Sequence, residues 1–377
     1  MNLSDLARNS HMLRGALSKK GYMRWWHSFT GTQPETGETR TFYIEFYIIN
    51  PALGGTRPIL GQHPYFKKRG AKPSYVMVKA GVFPDQEGNG GRQLHAFYPI
   101  SALQATGSPL IMQLEDANAG KCFYSEDKLT GYVEASPREA RRRSHMTDAG
   151  RMEWDVKVHK AVSCRGAWGG RFLQALNALD SYWHGEGIRC FFQGSVTLDG
   201  VAYEVEPETS YGYADKHWGR SFNSPWFQFA CGNLTSKRSH RQLRHSALAM
   251  NCLRPRFLRF SLRRRLVLQL TYMGEDFEFS RCKWDTKETS KRFVWHILAQ
   301  NKKTVIKISG SCTKAEMQNL LYESPDGNLS RLPLLAGCGG IGTIQLYRKD
   351  SGGRELLDTL AMDNALCVYR AEEAEVH

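Results

Sequence analysis

Residues 210–226 read SYGYADKHWGRSFNSPW, where five aromatic side chains stand beside one acid, two bases and a histidine. An aromatic cluster on strands is ordinarily packing. The charges change that reading. Asp215 and Lys216 are adjacent, so on a strand one turns inward with the rings and the other turns out to solvent. A charge turned inward needs a partner or a neutral state, and a carboxylic acid kept neutral by apolar surroundings is a proton donor. A second candidate lies at YWHGEG, 182–187, where His184 and Glu186 sit beside Tyr182 and Trp183. Here two readings stand. His184 caps the end of a helix, where a cation suits the dipole, or Glu186, flanked by glycines, is an acid with His184 as its partner.

The elements that must position these groups are mostly strands. In MEWDVKVH the apolar Met152, Trp154, Val156 and Val158 alternate with Glu153, Asp155, Lys157 and His159, the period-two signature of a strand with one face buried. Residues 41–50, 74–83, 94–100 and 292–298 read similarly. Asp199-Gly200 in GSVTLDGVAYEV predicts a tight hairpin, because a type I′ turn needs positive φ. LQLTYMGEDFEFS and WHILAQNKKTVIKIS repeat the strand-turn-strand pattern. GGRFLQALNALDSYWH predicts a helix through Phe172, Leu176, Leu179 and Trp183, with Gly185 and Gly187 as terminators. TKAEMQNLLYES predicts a shorter one, capped by Thr313 and packing Met317, Leu320 and Leu321. The expected fold is all-β, built of antiparallel barrels or sandwiches with one or two short helices. A division near residue 200 gives an N-terminal extension (1–20) and two β domains of comparable size (21–200 and 201–370).

Composition bounds the rest. With 377 residues, 41% hydrophobic and 23% charged, the chain can bury a large core. It contains no apolar run long enough to span a bilayer and no apolar signal core at its start, so a cytoplasmic protein is expected. The nine cysteines show no C-x-x-C spacing and suggest buried thiols rather than a zinc site or a disulfide framework. The net charge of +14 is uneven: residues 231–270 hold ten Lys and Arg and no acid, and Arg138, Arg141, Arg142 and Arg143 form a second cluster. No recognition helix or stacking motif accompanies this charge, which argues against nucleic acid and for peripheral contact with an anionic membrane surface through 231–270. GCGGIG, 337–342, matches G-x-G-x-x-G, but an alternating strand follows it where a helix should open, so these glycines read as a turn or barrel corner and no dinucleotide is expected.

The stretch YADKHWGRSFNSPWFQFACGNL resembles the tocopherol cyclase-like family, whose segment runs Glu-Lys-Asn-Trp-Gly, then Phe-Pro, then an aromatic strand. Asp215 stands at the acid, Lys216 at the lysine, Trp218 and Gly219 at the Trp-Gly pair, and Trp226 opens the strand. His217 replaces the usual Asn, Asn223 the proline, and Gln228 a frequent second Trp. GGIGTIQLYRKDSGGRELLDTLAMDNALCVY resembles the closing strands, and the likeness runs from about Lys20 to Tyr369. It implies two lipocalin-like domains with a hydrophobic cavity, and a reaction in which a prenyl double bond is protonated and the tertiary cation is captured by a phenol oxygen or by water. Such a cation needs shielding from water and electron-rich rings facing it, which accounts for many rings beside few charges. No metal or cofactor is required. On this reading Asp215 is the favoured acid and Glu186 the second choice. Lys216 or His184 tunes it, and Tyr213, Trp218, Trp226, Trp183, Tyr182 and Gln228 line the site of an isoprenoid or prenylated aromatic substrate. A non-catalytic lipid or isoprenoid carrier is the alternative, since ring-walled barrels serve binding equally well.

Overall fold

The computed structural model describes residues 8–164, 179–221, 226–254, 256–257, 260–279, 281–328, 334–350 and 352–370. The chain is built almost wholly of antiparallel strands. The first sheet holds β1 (Tyr22–Thr32), β2 (Thr39–Ile49), β3 (Tyr75–Val82), β4 (Arg92–Tyr98), β5 (Leu103–Ala105), β6 (Met112–Asp116), β7 (Gly120–Tyr124), β8 (Lys128–Ala135), β9 (Gly150–Val162), β10 (Ser181–Leu198), β11 (Val201–Val205) and β12 (Gly212–Gly219). Its order is β4-β3-β2-β1-β11-β10-β9-β8-β7-β6-β5, with β12 bridging β1 and β10. β4 packs against β8, so the sheet rolls over an inner core that includes Trp25, Phe46, Leu129, Trp154, Phe192 and Trp218.

The remaining strands are β13 (Trp226–Cys231), β14 (Leu234–Ser236), β15 (Ala247–Leu253), β16 (Arg256–Phe257), β17 (Phe260–Ser261), β18 (Arg265–Tyr272), β19 (Glu275–Glu278), β20 (Arg281–Glu288), β21 (Arg292–Gln300), β22 (Thr304–Thr313), β23 (Gln318–Leu320), β24 (Leu334–Asp350) and β25 (Gly353–Arg370). All but the separate β16-β17 pair form the second sheet, ordered β19-β18-β15-β13-β25-β24-β22-β21-β20, with β14 on β25 and β23 on β24. The expectation of an all-β chain with little helix is met. Because β11 and β12 hydrogen-bond into the first sheet, the chain passes between sheets after Gly219 and before Trp226 rather than near residue 200.

Turn chemistry behaves as read. Asp199 (φ 48°) and Gly200 (φ 87°) close the β10-β11 hairpin, and Met273 (φ 52°) with Gly274 (φ 86°) closes β18-β19. β9 alternates buried and exposed residues along its whole MEWDVKVH stretch. β1, β2, β3 and β12 do not alternate: their central residues are buried on both faces. One face lines the inner core. The other meets residues of the second sheet, including Ala230, Ala249, Leu320, Leu334 and Val368, in a core shared between the sheets.

Both helix readings need correction. The long one falls largely on residues 165–178, outside the described residues, and its last turn is the start of β10, where Tyr182, Trp183 and His184 are paired in a sheet. Gly185 and Gly187 end no helix; they lie where the β10-β12 register shifts, and a Cβ on Gly187 would lie 2.2 Å from Cys190 Sγ. Around Thr313 the helix is a single 3₁₀ turn, Lys314–Glu316, without a side-chain cap, and Gln318–Leu320 continues as strand. Met317 and Leu320 are buried as expected, but Leu321 is exposed. The GCGGIG stretch is neither a turn nor a phosphate loop. It runs inside β24, with register shifts at Gly337, Gly340 and Gly342 that bend the strand.

Two glycines separate backbone from packing costs. Replacing Gly200 by Ala places a Cβ in open space but keeps φ at 87°, so unfolding in urea should record a loss of about 1 kcal/mol. Gly194→Ala, at φ 143°, puts its Cβ 2.0 Å from the Asp155 carbonyl oxygen, and the same measurement should lose roughly 3 kcal/mol. Equal costs would refute the steric clash at Gly194.

Candidate functional site

The rung that crosses four strands of the first sheet positions the site. Lys79 on β3 lies opposite Glu45 on β2, Glu45 opposite Trp26 on β1, and Trp26 opposite Asp215 on β12. Cross-strand partners share a face, and this face is the one covered by the second sheet. Lys79, Glu45 and Asp215 are all at most 1% exposed, so each charge must be answered by a neighbour. Glu45 is. Arg24 Nη1 approaches its Oε1 at 3.3 Å, Lys79 Nζ its Oε2 at 3.4 Å, and the Tyr322 hydroxyl donates to Oε2 at 2.8 Å. Lys79 also lies 3.3 Å from the Tyr322 ring centroid and donates to the Leu321 carbonyl at 3.1 Å. Burial pulls Lys79 down to about 8, with Glu45 acting against that shift.

Asp215 is held through one oxygen. Trp183 Nε1 (3.0 Å), the Tyr213 hydroxyl (3.0 Å) and Gln228 Nε2 (2.9 Å) all donate to Oδ2. Among the described residues Oδ1 has no hydrogen-bond partner; Arg24 Nη2 stands 4.0 Å from it. Gln228 comes from the second sheet, so the carboxyl is fixed by both sheets at once. Two further polar groups are left over on the same side. Among the described residues Gln228 Oε1 has no hydrogen-bond partner, and on β15 its cross-strand neighbour Asn251, fully buried, has none for either amide atom. Unpaired buried polar atoms are rare and cost about 1–3 kcal/mol each. The rings at this face are Trp26, Trp183 and Tyr213, with Trp26 stacked on Tyr43 at 4.8 Å. A cleft of about 480 Å³ opens where the sheets meet, lined by Arg40, Thr41 and Phe83 from the first and Glu316, Cys338 and Asn364 from the second. Phe83 of this lining lies 6.2 Å, centroid to centroid, from Trp26, the neighbour of Asp215 in the rung, and the cleft is lined by neither Asp215 nor Trp26, Trp183, Tyr213 or Gln228. Another cleft, of about 470 Å³ across β20, β21 and β22, is lined by Trp284, His296, Leu298 and Lys307 and touches none of these groups.

The other sequence candidates fall on the opposite face. Lys216 does turn away from Asp215, but inward rather than to solvent: it is fully buried, with Nζ 4.9 Å from the Trp218 ring and 5.2 Å from Trp25. Burial brings it down to about 7. Glu186 is buried with it. Its Oε2 accepts from Lys160 at 2.9 Å, Lys160 also reaches Glu126 at 2.7 Å, and Glu186 Oε1 has no hydrogen-bond partner among the described residues. Burial pushes the Glu186 carboxyl up to about 7 against the pull of Lys160. His184 is no cationic helix cap: burial, with Arg8 and Lys216, lowers it to about 3, so it is neutral. Tyr182 stacks on Trp218 at 5.3 Å, also in the inner core. Hence Tyr213, Trp183 and Gln228 join Asp215, whereas Lys216, His184, Glu186, Tyr182 and Trp218 form a second group behind the sheet. The Trp226 side chain, Phe222 and Asn223 lie outside the described residues.

Sequence reasoning passed over Arg24, Glu45, Lys79, Tyr322 and Asn251. A signal existed: Glu45 in TFYIEFYIIN and Lys79 in SYVMVKAGVF are single charges in strands too apolar to have a wet face. The basic stretch is also not one patch. Lys237, Arg238, Arg241 and Arg244 precede β15 and Arg263, Arg264 and Arg265 lie at its far end, about 20 Å away along the strand.

No protein-family model matches the chain, and no curated protein sequence does. Among solved structures, kievitone hydratase from Nectria haematococca is a distant likeness, 13% identical with a TM-score of 0.44, over 95% of this chain and 93% of that one. No helix among the described residues is long and apolar enough to cross a membrane.

The rung itself is testable. Glu45→Gln removes the only carboxylate that answers Lys79 within 4 Å among the described residues, so urea unfolding should show a loss of roughly 3–5 kcal/mol. A loss below 1 kcal/mol would mean the cations are solvated and the rung is not sealed.

Proposed function

We propose that this protein is an acid-catalytic enzyme of the hydratase or cyclase type, acting on the prenyl double bond of an apolar isoprenoid or prenylated aromatic substrate, with Asp215 as proton donor. The observation that carries the reading is the asymmetry of its carboxyl group: one oxygen is clamped by three donors from two sheets, and the other accepts no hydrogen bond from the described residues and faces only Arg24 Nη2, 4.0 Å away. A positioned acid has this form. In this role Oδ1, which accepts no hydrogen bond, is the oxygen that delivers the proton, and the donors on Oδ2, with Arg24 4.0 Å from Oδ1, stabilise the carboxylate that remains after transfer. That matters because an alkene is a weak base and takes a proton only from an acid whose conjugate base is well supported.

In the proposed step the π electrons of the trisubstituted double bond form a C–H bond with the Asp215 proton, leaving a tertiary cation. The faces of Trp26 and Trp183 shield it. A phenol oxygen of the same substrate, or a water molecule, then donates an electron pair to the cationic carbon and gives its proton back to the Asp215 carboxylate. The first outcome closes a ring and the second gives a tertiary alcohol. Atoms balance in both, and no external oxidant or reductant is consumed.

With a geranylated hydroquinone in D₂O, the product should carry one deuterium at the protonated carbon by mass spectrometry. Asp215→Asn should lower turnover by ~10³-fold with an unchanged unfolding midpoint. Trp183→Phe keeps the ring but deletes one donor and should cost on the order of 10²-fold in kcat. Full activity of Asp215→Asn would overturn the assignment; bound but unconverted substrate in the parent protein would favour a carrier instead.

A further inference from the structure

The group behind the sheet has a lid made of the chain itself. Residues 8–13 belong to no strand, yet Asn9 is fully buried beneath the inner face. Its Oδ1 accepts from Trp25 Nε1 at 2.5 Å, and its Nδ2 donates to the Tyr124 hydroxyl at 3.1 Å and to Glu126. Lys216 Nζ donates to the carbonyls of Arg8, at 2.8 Å, and of Ser10. Leu13 and Leu17 anchor the far end of the segment in the inner core.

We infer that this segment is a displaceable plug occupying a second binding site, on the opposite face of the sheet from Asp215, whose ligand is a flat ring bearing a carbonyl oxygen beside a hydroxyl group. The chemistry of the plug defines the ligand. Asn9 presents an acceptor and a donor side by side, and the two backbone carbonyls supply further acceptors to an amine. With the plug withdrawn, Trp25 Nε1 and Lys216 Nζ lose the acceptors it supplies, and Tyr124 and Glu126 Oε1 lose its donor, while Glu126 Oε2 keeps Lys160 and Glu186 Oε1 stays without a hydrogen-bond partner among the described residues. A carbonyl answers the first pair and a hydroxyl the second. Trp25, Trp218 and Tyr182 provide the faces on which a ring stacks. Glu186 Oε1, buried and without a hydrogen-bond partner among the described residues even with the plug in place, is an independent sign that this site has room for a further donor. Lys160, shared between Glu126 and Glu186, keeps the two carboxyls apart and in place. Displacing Asn9 exchanges one set of hydrogen bonds for another, so the ligand competes with the chain rather than with empty space.

The probe for the test is 2,4-dihydroxyacetophenone, titrated calorimetrically. Asn9→Ala removes the plug's side-chain contacts, and this variant should bind at least tenfold more tightly than the parent protein. Adding Lys216→Met to Asn9→Ala should weaken binding at least tenfold, and acetophenone without hydroxyls should bind more weakly than the dihydroxy ketone. Asp215→Asn should leave the affinity unaltered, so this site and the proposed catalytic one fail independently. In the parent protein, saturating probe should accelerate amide hydrogen exchange of residues 8–13, a readout that does not depend on any variant folding. Unchanged exchange at saturation, equal affinity of Asn9→Ala and parent, or full retention of binding after Lys216→Met would each overturn the inference.

Discussion

Strands buried on both faces govern this molecule. Where a sheet has one wet side, polar residues cost nothing, because every second position faces water. β1, β2, β3 and β12 have no such side over most of their length, so each polar residue they carry must find a partner across the sheet or between sheets. Lys79, Glu45, Arg24 and Asp215 do so as a connected set reaching Tyr322 and Gln228 of the second sheet. Such a set is a poor way to gain stability. Replacing buried ion pairs by well-packed apolar side chains is often neutral or stabilising. The set does fix geometry, since Arg24 ties the position of Glu45 to that of Asp215 and the second sheet is tied to both.

Much of the fold was legible because it follows from local rules. β9 alternates, Asp199-Gly200 and Met273-Gly274 turn with the positive φ their hairpins require, and the Asp215-Lys216 neighbours do point apart. The failures share one cause. A period-two reading assumes water on one side, and at the junction there is none; Lys216 was therefore sent to solvent when it belongs to the inner core. Tyr182, Trp183 and His184 read as helix because their apolar spacing continues that of Phe172, Leu176 and Leu179, whereas pairing with β12 overrides the local pattern. The contribution of the second sheet was illegible. Nothing local links Tyr322 to Glu45 across 277 positions, or Gln228 to Asp215, 13 positions apart and on different sheets.

The glycines of β10 show how a small residue moves chemistry. Between His184 and Gly187 the register with β12 shifts, and the space beside Gly187 is filled by the Cys190 sulfur. Trp183, before the shift, lies on the junction face and donates to Asp215, while Glu186 three positions later reaches Lys160 on the inner face. A regular strand would also send positions of odd and even number to opposite faces. What the bulge adds is slack: β10 can follow β12 on one edge and β9 on the other although the two registers differ.

The placement of charge also settles which way β12 lies. Slipping a strand by one residue exchanges its faces. For β12 that slip would carry Lys216 to the junction, beside Arg24 and Lys79, and Asp215 to the inner face, beside Glu126 and Glu186. Both moves strand the partners left behind: Trp183 and Gln228 would lose their acceptor, and the carbonyls of Arg8 and Ser10 their donor. Apolar residues could not enforce this, because β12 is buried on both sides and either face would accept them. The two adjacent charges that first drew attention to SYGYADKHWG therefore do structural as well as chemical service, each holding the other on its own side of the sheet.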